Sequence, residues 1–368
     1  MKFTIDRESI LKPLQQVIGV VERRQTLPVL GNLLIVAGDN GLQITATDLE
    51  VEIQAKVKVA VNIDEGGEIT LPARKLIDIC KALPENAEID FSFQDQKAQI
   101  RSGKSRFTLS TLPARDFPVV EKVQSEYRLV ISQNKLKELI DRTQFSMAQQ
   151  DVRYYLNGLM LEIGDGMLRA VATDGHRLAL CDMEVDLKVG DARQVIVPRK
   201  GIQELQRLLE GSDDTVEVEV GSNHIRMRTA DVCFTSKLVD GRFPDYERVV
   251  PKGGDKLVVA DREAFRQALS RTSILSNEKY RGIRLNLEKN NIKIQAHNPE
   301  QEEADEEIEV DYRGSGLEIG FNVTYLLDVL STVRSDEVEI TLSDSNSSCL
   351  IRQPGTEQYR YVVMPMRL

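Results

Sequence analysis

The sequence predicts an α+β fold built from three similar domains, each setting two helices against antiparallel sheets. Two observations carry this. The chain repeats itself, and within each repeat the apolar residues alternate between period two and helical spacing without regular strand–helix–strand order. Asp6 and Ser132, Asp48 and Asp174, Pro72 and Pro198, and Pro118 and Pro244 each lie 126 positions apart in matching contexts. A chance motif would not hold one register over so long a stretch.

The segments FTIDRESILKPL, from Phe3, and LVISQNKLKELI, from Leu129, each give a short apolar strand, a capping residue (Asp6, Ser132) and a helical stripe. TATDLEVEI and VATDGHRLA follow as matching strands, then LPARKLIDICKALP and VPRKGIQELQRLLE as second helices, then ARDFPVV and DGRFPDY as matching loops. A shorter third copy begins at LVVADREAFRQAL, with Asp261 in the capping place. Its IKIQAHNPE resembles the ATD strand, IGFNVTYLLDVL the second helix, and YRYVVMPMRL the strands FTLSTLP and FTSKLV. Domains are therefore expected at 1–125, 126–253 and 254–368. In the second repeat the helices are expected at Ser132–Met147 and Pro198–Leu209. Pro13 is expected to kink the first helix of the chain, and Pro198 suits a helix start because its missing N–H would have no partner there.

Composition narrows the function classes. At 368 residues the chain exceeds one ordinary core, and with 41% hydrophobic and 29% charged residues it reads as a globular protein. No run of 18 apolar residues is present and MKFTIDRES has no signal-peptide core, so a cytoplasmic protein without membrane contact is expected. The four cysteines (Cys80, Cys181, Cys233, Cys349) form no CxxC pair, which fits a reducing compartment and no structural zinc. A net charge of −10 argues against adhesion to nucleic acid through overall charge. Basic residues nevertheless gather on the helical segments, among them Arg74, Lys75, Lys135, Lys137, Arg142, Arg199, Lys200, Arg262, Arg266 and Arg271. A local positive surface on an acidic body would hold DNA loosely.

No phosphate loop, dinucleotide fingerprint, nucleophile elbow or HExxH motif is present. The stretch ATDGHRL places Asp174 two residues before His176 and resembles an acid–base or metal pair. The repeat supplies a control: ATDLEVE keeps the aspartate, as Asp48, and has no histidine. Both aspartates are expected to cap a strand-end turn, and Gly175-His176-Arg177 reads as an insert peculiar to the second repeat, a site for interaction. No catalytic residue, metal or cofactor is expected. Two alternatives stay open: an Asp174/His176-dependent hydrolase, and a repeat scaffold that binds proteins without enclosing DNA.

The threefold repeat with ATDGHRLAL, RFPDYERV, ILSNEKYRG, NPEQEEAD and YVVMPMRL resembles the bacterial DNA polymerase III β subunits, the sliding clamps, over the whole chain. The resemblance implies a closed homodimeric ring around duplex DNA that tethers the replicative polymerase, other polymerases and repair proteins, and that an ATP-driven clamp loader opens. Twelve helices about 9 Å apart make a circle of roughly 34 Å through their axes. Removing a helix width of about 10 Å leaves a hole of roughly 25 Å. By the same resemblance, Arg24, Gln150 and Tyr155 contact DNA, with Arg74 and Lys200 as inner-wall candidates. A pocket for short partner peptides, with Gln followed by spaced Leu and Phe, is implied at Leu156, Thr173, Gly175, His176, Arg177, Leu178, Pro244, Arg248, Val249, Asn322, Tyr325, Ser348, Val362, Met364, Pro365, Met366, Arg367 and Leu368. Asn346 departs from the apolar residue of some relatives at the pocket edge. The dimer contact is implied at Lys75, Phe107, Leu109, Ile274, Leu275, Glu300 and Glu303. The location implied is the cytoplasm, on the nucleoid.

Overall fold

The computed structural model describes residues 1–21, 27–57, 61–94, 96–118, 120, 124–164, 166–187 and 192–367. Among the described residues, six α-helices recur in pairs: α1 (Arg7–Val17) and α2 (Ala73–Ala82), α3 (Gln133–Asp141) and α4 (Arg199–Leu208), α5 (Arg262–Thr272) and α6 (Val323–Thr332). Each follows directly on a strand, so the chain turns from period two to helical period at the residue where the sequence does.

The chain gathers into two compact units, residues 1–134 with 203–238, and residues 135–202 with 239–368. The first holds a five-stranded sheet ordered Asn62–Glu65, Lys2–Asp6, Glu88–Gln94, Lys97–Ser102 and Ser105–Ser110. It also holds an eight-stranded sheet, Tyr127–Ser132, Thr215–Val220, His224–Arg228, Val232–Lys237, Val51–Lys56, Gly41–Thr47, Asn32–Gly38 and Gly67–Pro72. The second holds one twelve-stranded sheet, Arg193–Pro198, Gly158–Gly164, Met167–Thr173, Arg177–Glu184, Tyr359–Val363, Cys349–Arg352, Glu337–Leu342, Lys256–Asp261, Glu303–Asp311, Asn291–His297, Gly282–Glu288 and Leu317–Asn322. Among the described residues, the strand pairings are antiparallel.

Two pairings join one repeat to the next. Val232–Lys237 lies along Val51–Lys56, with Ser236 opposite Val51, and Tyr359–Val363 lies along Arg177–Glu184, with Val362 opposite Leu178. The strand that closes a repeat thus pairs with the fourth strand of the repeat before it.

Several expectations need correction. Asp261 caps α5 by accepting from the Ala264 amide at 2.7 Å, but Asp6 makes no such bond to α1; the Ala87 carbonyl takes the Arg7 amide at 2.8 Å instead. The helix expected to reach Met147 stops at Asp141. There the Thr143 hydroxyl donates to the Leu139 carbonyl at 2.7 Å and a short 3₁₀ turn, Gln144–Ser146, takes over. Pro198 ends a strand, and α4 starts one residue later. Pro13 does lie inside α1, buried, as the sequence places it.

Candidate functional site

The Asp174 turn is built the same way in two repeats. Thr173 Oγ1 accepts the Gly175 amide at 3.1 Å, and Asp174 Oδ1 accepts the amides of His176 and Arg177 at 2.9 and 3.1 Å. In the first repeat Thr47 accepts from Leu49 at 3.1 Å, and Asp48 Oδ1 accepts from Glu50 and Val51 at 2.9 and 2.7 Å. The aspartates therefore cap strand-end turns, as the repeat predicts. The reading of Gly-His-Arg as an insert is corrected: the turns have equal length, and Leu49 (φ 79°) and Gly175 (φ 88°) occupy the same left-handed position. The second repeat replaces three side chains in place.

Those replacements create a platform. The Arg177 guanidinium donates from Nε to Asp174 Oδ2 at 3.1 Å, from Nη1 to Asp328, and from Nη2 to the Phe145 carbonyl at 2.8 Å. It also lies over the Phe145 and Tyr325 rings, at 5.4 and 4.6 Å. The exposed His176 ring stacks on Tyr325, 6.3 Å between centroids and 18° from parallel. Both Asp174 oxygens are thus occupied by backbone amides and Arg177, so this carboxylate does not orient His176 as a base. Among the described residues, no group of three or more His, Cys, Asp or Glu could hold a metal.

Beside the platform is an apolar floor. Leu156, Leu178, Leu180, Phe243, Tyr246, Leu350 and Val362 belong to one buried cluster, against which Val249 and Tyr155 pack. Across neighbouring strands Leu178 faces Val362 and Val362 faces Leu350, so alternation aims all three at one face. The tail is tied down by two main-chain bonds: Met364 N–H to the His176 carbonyl and Met366 N–H to the Gly320 carbonyl, both 2.9 Å. Half-buried Met364, Pro365 and Met366 line this edge, with exposed Arg367; Leu368 lies outside the described residues. Thr173 and Ser348 are half-buried, Asn322 accepts the Thr324 amide at 2.9 Å at the start of α6, and Pro244 and Arg248 are exposed. Asn346 is exposed in a turn where its amide donates to Asp344 at 2.8 Å. Tyr325 is held above its ordinary pKa chiefly by burial, helped by the nearby Asp174 charge and opposed by Arg177.

Arg153 was missed as part of this site. Its guanidinium lies against Gly175, donates to the Asp174 carbonyl at 3.3 Å and is clamped by Asp151 at 2.8 Å. That contact pulls the Asp151 carboxyl down to about 2. The available signal was the Asp151-Val-Arg153 spacing. Gly175→Ala is expected to cost about 1–2 kcal/mol through its left-handed backbone, with a Cβ only 2.9 Å from Arg153 Nη2. Urea unfolding of Gly175→Ala alone and in an Arg153→Ala background separates the steric share; an unchanged midpoint in both would refute it.

The remaining predicted residues are placed as follows. Arg24 lies outside the described residues. Gln150 is exposed in a left-handed conformation, Lys200 and Tyr155 are half-buried, and the exposed ring beside Tyr155 is Tyr154, a residue the sequence reading passed over. Exposed Arg74 donates to the Val21 carbonyl at 3.0 Å. Several other basic residues of the helical segments are engaged within the chain. Arg142 is buried and donates to the Thr332 carbonyl at 2.6 Å, Arg199 holds the Met147 carbonyl at 2.9 Å, and Arg266 and Arg271 pair with Glu263 and Glu306 at 2.6 Å. Lys75, Glu300 and Glu303 are exposed, Phe107 and Leu275 half-buried, Leu109 buried, and Ile274 is 74% exposed.

Comparison with known proteins adds the following. Family models described as the N-terminal, central and C-terminal domains of the DNA polymerase III beta subunit match residues 1–121, 130–245 and 247–367. The chain is 61% identical to the beta sliding clamp of Pseudomonas putida over all of both chains. It superposes on the crystal structure of the DNA polymerase III subunit beta from Pseudomonas aeruginosa with a TM-score of 0.97, 60% identity and full coverage of both. A structure of the Pseudomonas aeruginosa clamp bound to griselimycin matches with a TM-score of 0.96 and 59% identity, again over all of both chains.

Proposed function

The chain belongs to the DNA polymerase III beta subunit family and is a DNA sliding clamp of three α+β domains; we propose that it acts as a homodimeric ring, held on duplex DNA by enclosure and tethering DNA-acting proteins through the Arg177 platform. The domains run over 1–125, 126–253 and 254–368, and the protein is a non-catalytic processivity subunit of the cytoplasm.

The unspent strand edges support this most directly. Each repeat lends its closing strand to the repeat before it, except the first, whose closing strand Ser105–Ser110 is an edge with one neighbour. The fourth strand of the last repeat, Glu303–Asp311, pairs fully with Asn291–His297, but on its other side only at Val310 and Asp311. These two edges complement one another in the repeat's own pattern. One chain closing on itself would ring six helices, leaving roughly 7 Å inside at about 9 Å spacing, less than the major groove of a duplex, about 12 Å wide. Two chains give the roughly 25 Å hole. Carrying the observed register over sets Arg106 of one chain opposite Glu306 of the other, and Leu109 opposite Glu303.

Arg24, Gln150, Tyr155, Arg74 and Lys200 would touch the phosphate backbone without reading sequence, which lets the ring slide. Docking peptides would rest on Leu156, Leu178 and Val362, with His176, Tyr325 and the adaptable Met364 and Met366 as walls. An external ATP-driven loader would open the ring, and polymerases and repair proteins would share the pocket; none of these steps calls for a membrane.

The test loads the protein on nicked circular plasmid in moderate salt, then linearises the plasmid with a restriction enzyme. Retention on the circle with loss from the linear form is the expected result. Equal behaviour on both forms would mean binding by contact alone and would favour a non-encircling scaffold.

A further inference from the structure

A second cleft is walled by residues of the tail that edges the proposed peptide pocket. It has a volume of about 410 Å³ and is lined by Asn277, Tyr280, His297, Pro299, Met366 and Arg367, among others. Met366 and Arg367 therefore wall both spaces, and the Met366–Gly320 bond keeps this wall in place.

Tyr280 is 56% exposed, yet its turn is fixed. Asn277 Oδ1 accepts the amides of Lys279 and Tyr280 at 2.9 and 3.0 Å, the Asn277 carbonyl accepts from Arg281 at 2.8 Å, and Asn322 Nδ2 donates to the Tyr280 carbonyl at 3.3 Å. The Lys279 ammonium sits over one side of the ring, 5.2 Å from its centre. An aromatic ring left bare on a rigid turn loses little freedom when a ligand covers it. Among the described residues, no carboxylate side chain lines the cleft, in a protein of net charge −10. The nearby Glu302 side chain is engaged by Asn298 Nδ2 at 2.6 Å.

We infer that one end of a docked partner peptide continues past Met366 into this cleft, placing an apolar or aromatic side chain on Tyr280 and an acidic one near Arg367 and Lys279. Charge complementarity and the shared wall favour an acidic peptide as the occupant. The inference rests on the proposed pocket, and its test separates the two. Three fluorescein-labelled peptides are titrated against the full chain: a core peptide with Gln followed by spaced Leu and Phe, and the same peptide carrying Phe-Glu at either end.

One extended peptide should bind about three- to tenfold more tightly than the core, as an added aromatic and charged contact would give. Tyr280→Ala should erase that gain while leaving core affinity unchanged, which also reports that the variant is folded. Lys279→Glu should erase part of it. No gain from either extension, or a gain that survives Tyr280→Ala, overturns the inference with the pocket intact. A core peptide that fails to bind the unaltered chain overturns the pocket reading and this inference with it.

Discussion

Replacing Ile274 and Leu275 together with alanine is expected to leave the protein monomeric at about 1 μM, where the unaltered chain assembles. Ile274 is 74% exposed on the 3₁₀ turn Ser273–Leu275. Hydroxyl bonds lock that turn: Thr272 to the Ala268 carbonyl at 2.8 Å, and Ser273 and Ser276 to the Ser270 and Ser273 carbonyls at 2.7 Å. The side chain is therefore presented already ordered, and little entropy opposes its burial.

Each truncation removes three carbons, about 0.8 kcal/mol apiece when buried. Leu275 is half-buried in the single chain, so the pair amounts to about 3–5 kcal/mol per contact. A twofold ring has two identical contacts, and the loss counts twice. The ion pair proposed beside it, Arg106 with Glu306, contributes about 0–1 kcal/mol when exposed and weakens with salt. Light scattering on a sizing column reads the outcome. A double variant that remains dimeric at that concentration would move closure away from these side chains. Monomers that stay on circular plasmid would sink enclosure itself.

What the sequence discloses about this fold is what short-range chemistry decides. The threefold repeat, the six helices and the Asp48 and Asp174 turns follow from caps and periodicities that span a few residues, and a repeated register multiplies such signals. The end of α3 is different. It is set by Thr143 bonding back onto the helix and by Arg142 reaching the Thr332 carbonyl 190 residues away. No local pattern marks an arginine as buried, so Arg142 reads from the sequence as part of a basic surface.

The candidate site divides along the same line. Leu178 and Val362 are visible as alternating apolar positions, but which strands lie side by side is a tertiary fact. Phe145 and Asp328, which hold Arg177 from separate segments, were invisible for that reason. So was Arg153 across Gly175. The family resemblance names residues that line the pocket; the bonds that position them come only from the folded chain.

Arg177→Ala is the second change expected to have a large effect, because one guanidinium holds three segments together: its own turn, the Phe145 turn and α6. The side chain is 11% exposed. Its loss leaves Asp174, 17% exposed, with an unpaired oxygen, and deprives the Phe145 carbonyl of its donor. Stranding buried partners in this way costs about 2–4 kcal/mol, toward the lower end here, because Asp328 is 39% exposed and regains water. Lysine should recover little, since a single ammonium cannot serve three acceptors in a plane while stacking on two rings.

Peptide affinity should fall more than tenfold, because Tyr325 and the His176 stacked on it lose their support. Enclosure of DNA should be unaffected. An independent readout comes from the Tyr325 hydroxyl. Burial and Asp174 raise its pKa while Arg177 lowers it, so removing Arg177 should push it higher still. Ultraviolet difference titration against a Tyr325→Phe reference measures that shift. An Arg177→Ala protein with unchanged stability, peptide affinity and Tyr325 titration would show that the platform is held by its other contacts and that Arg177 is incidental to it.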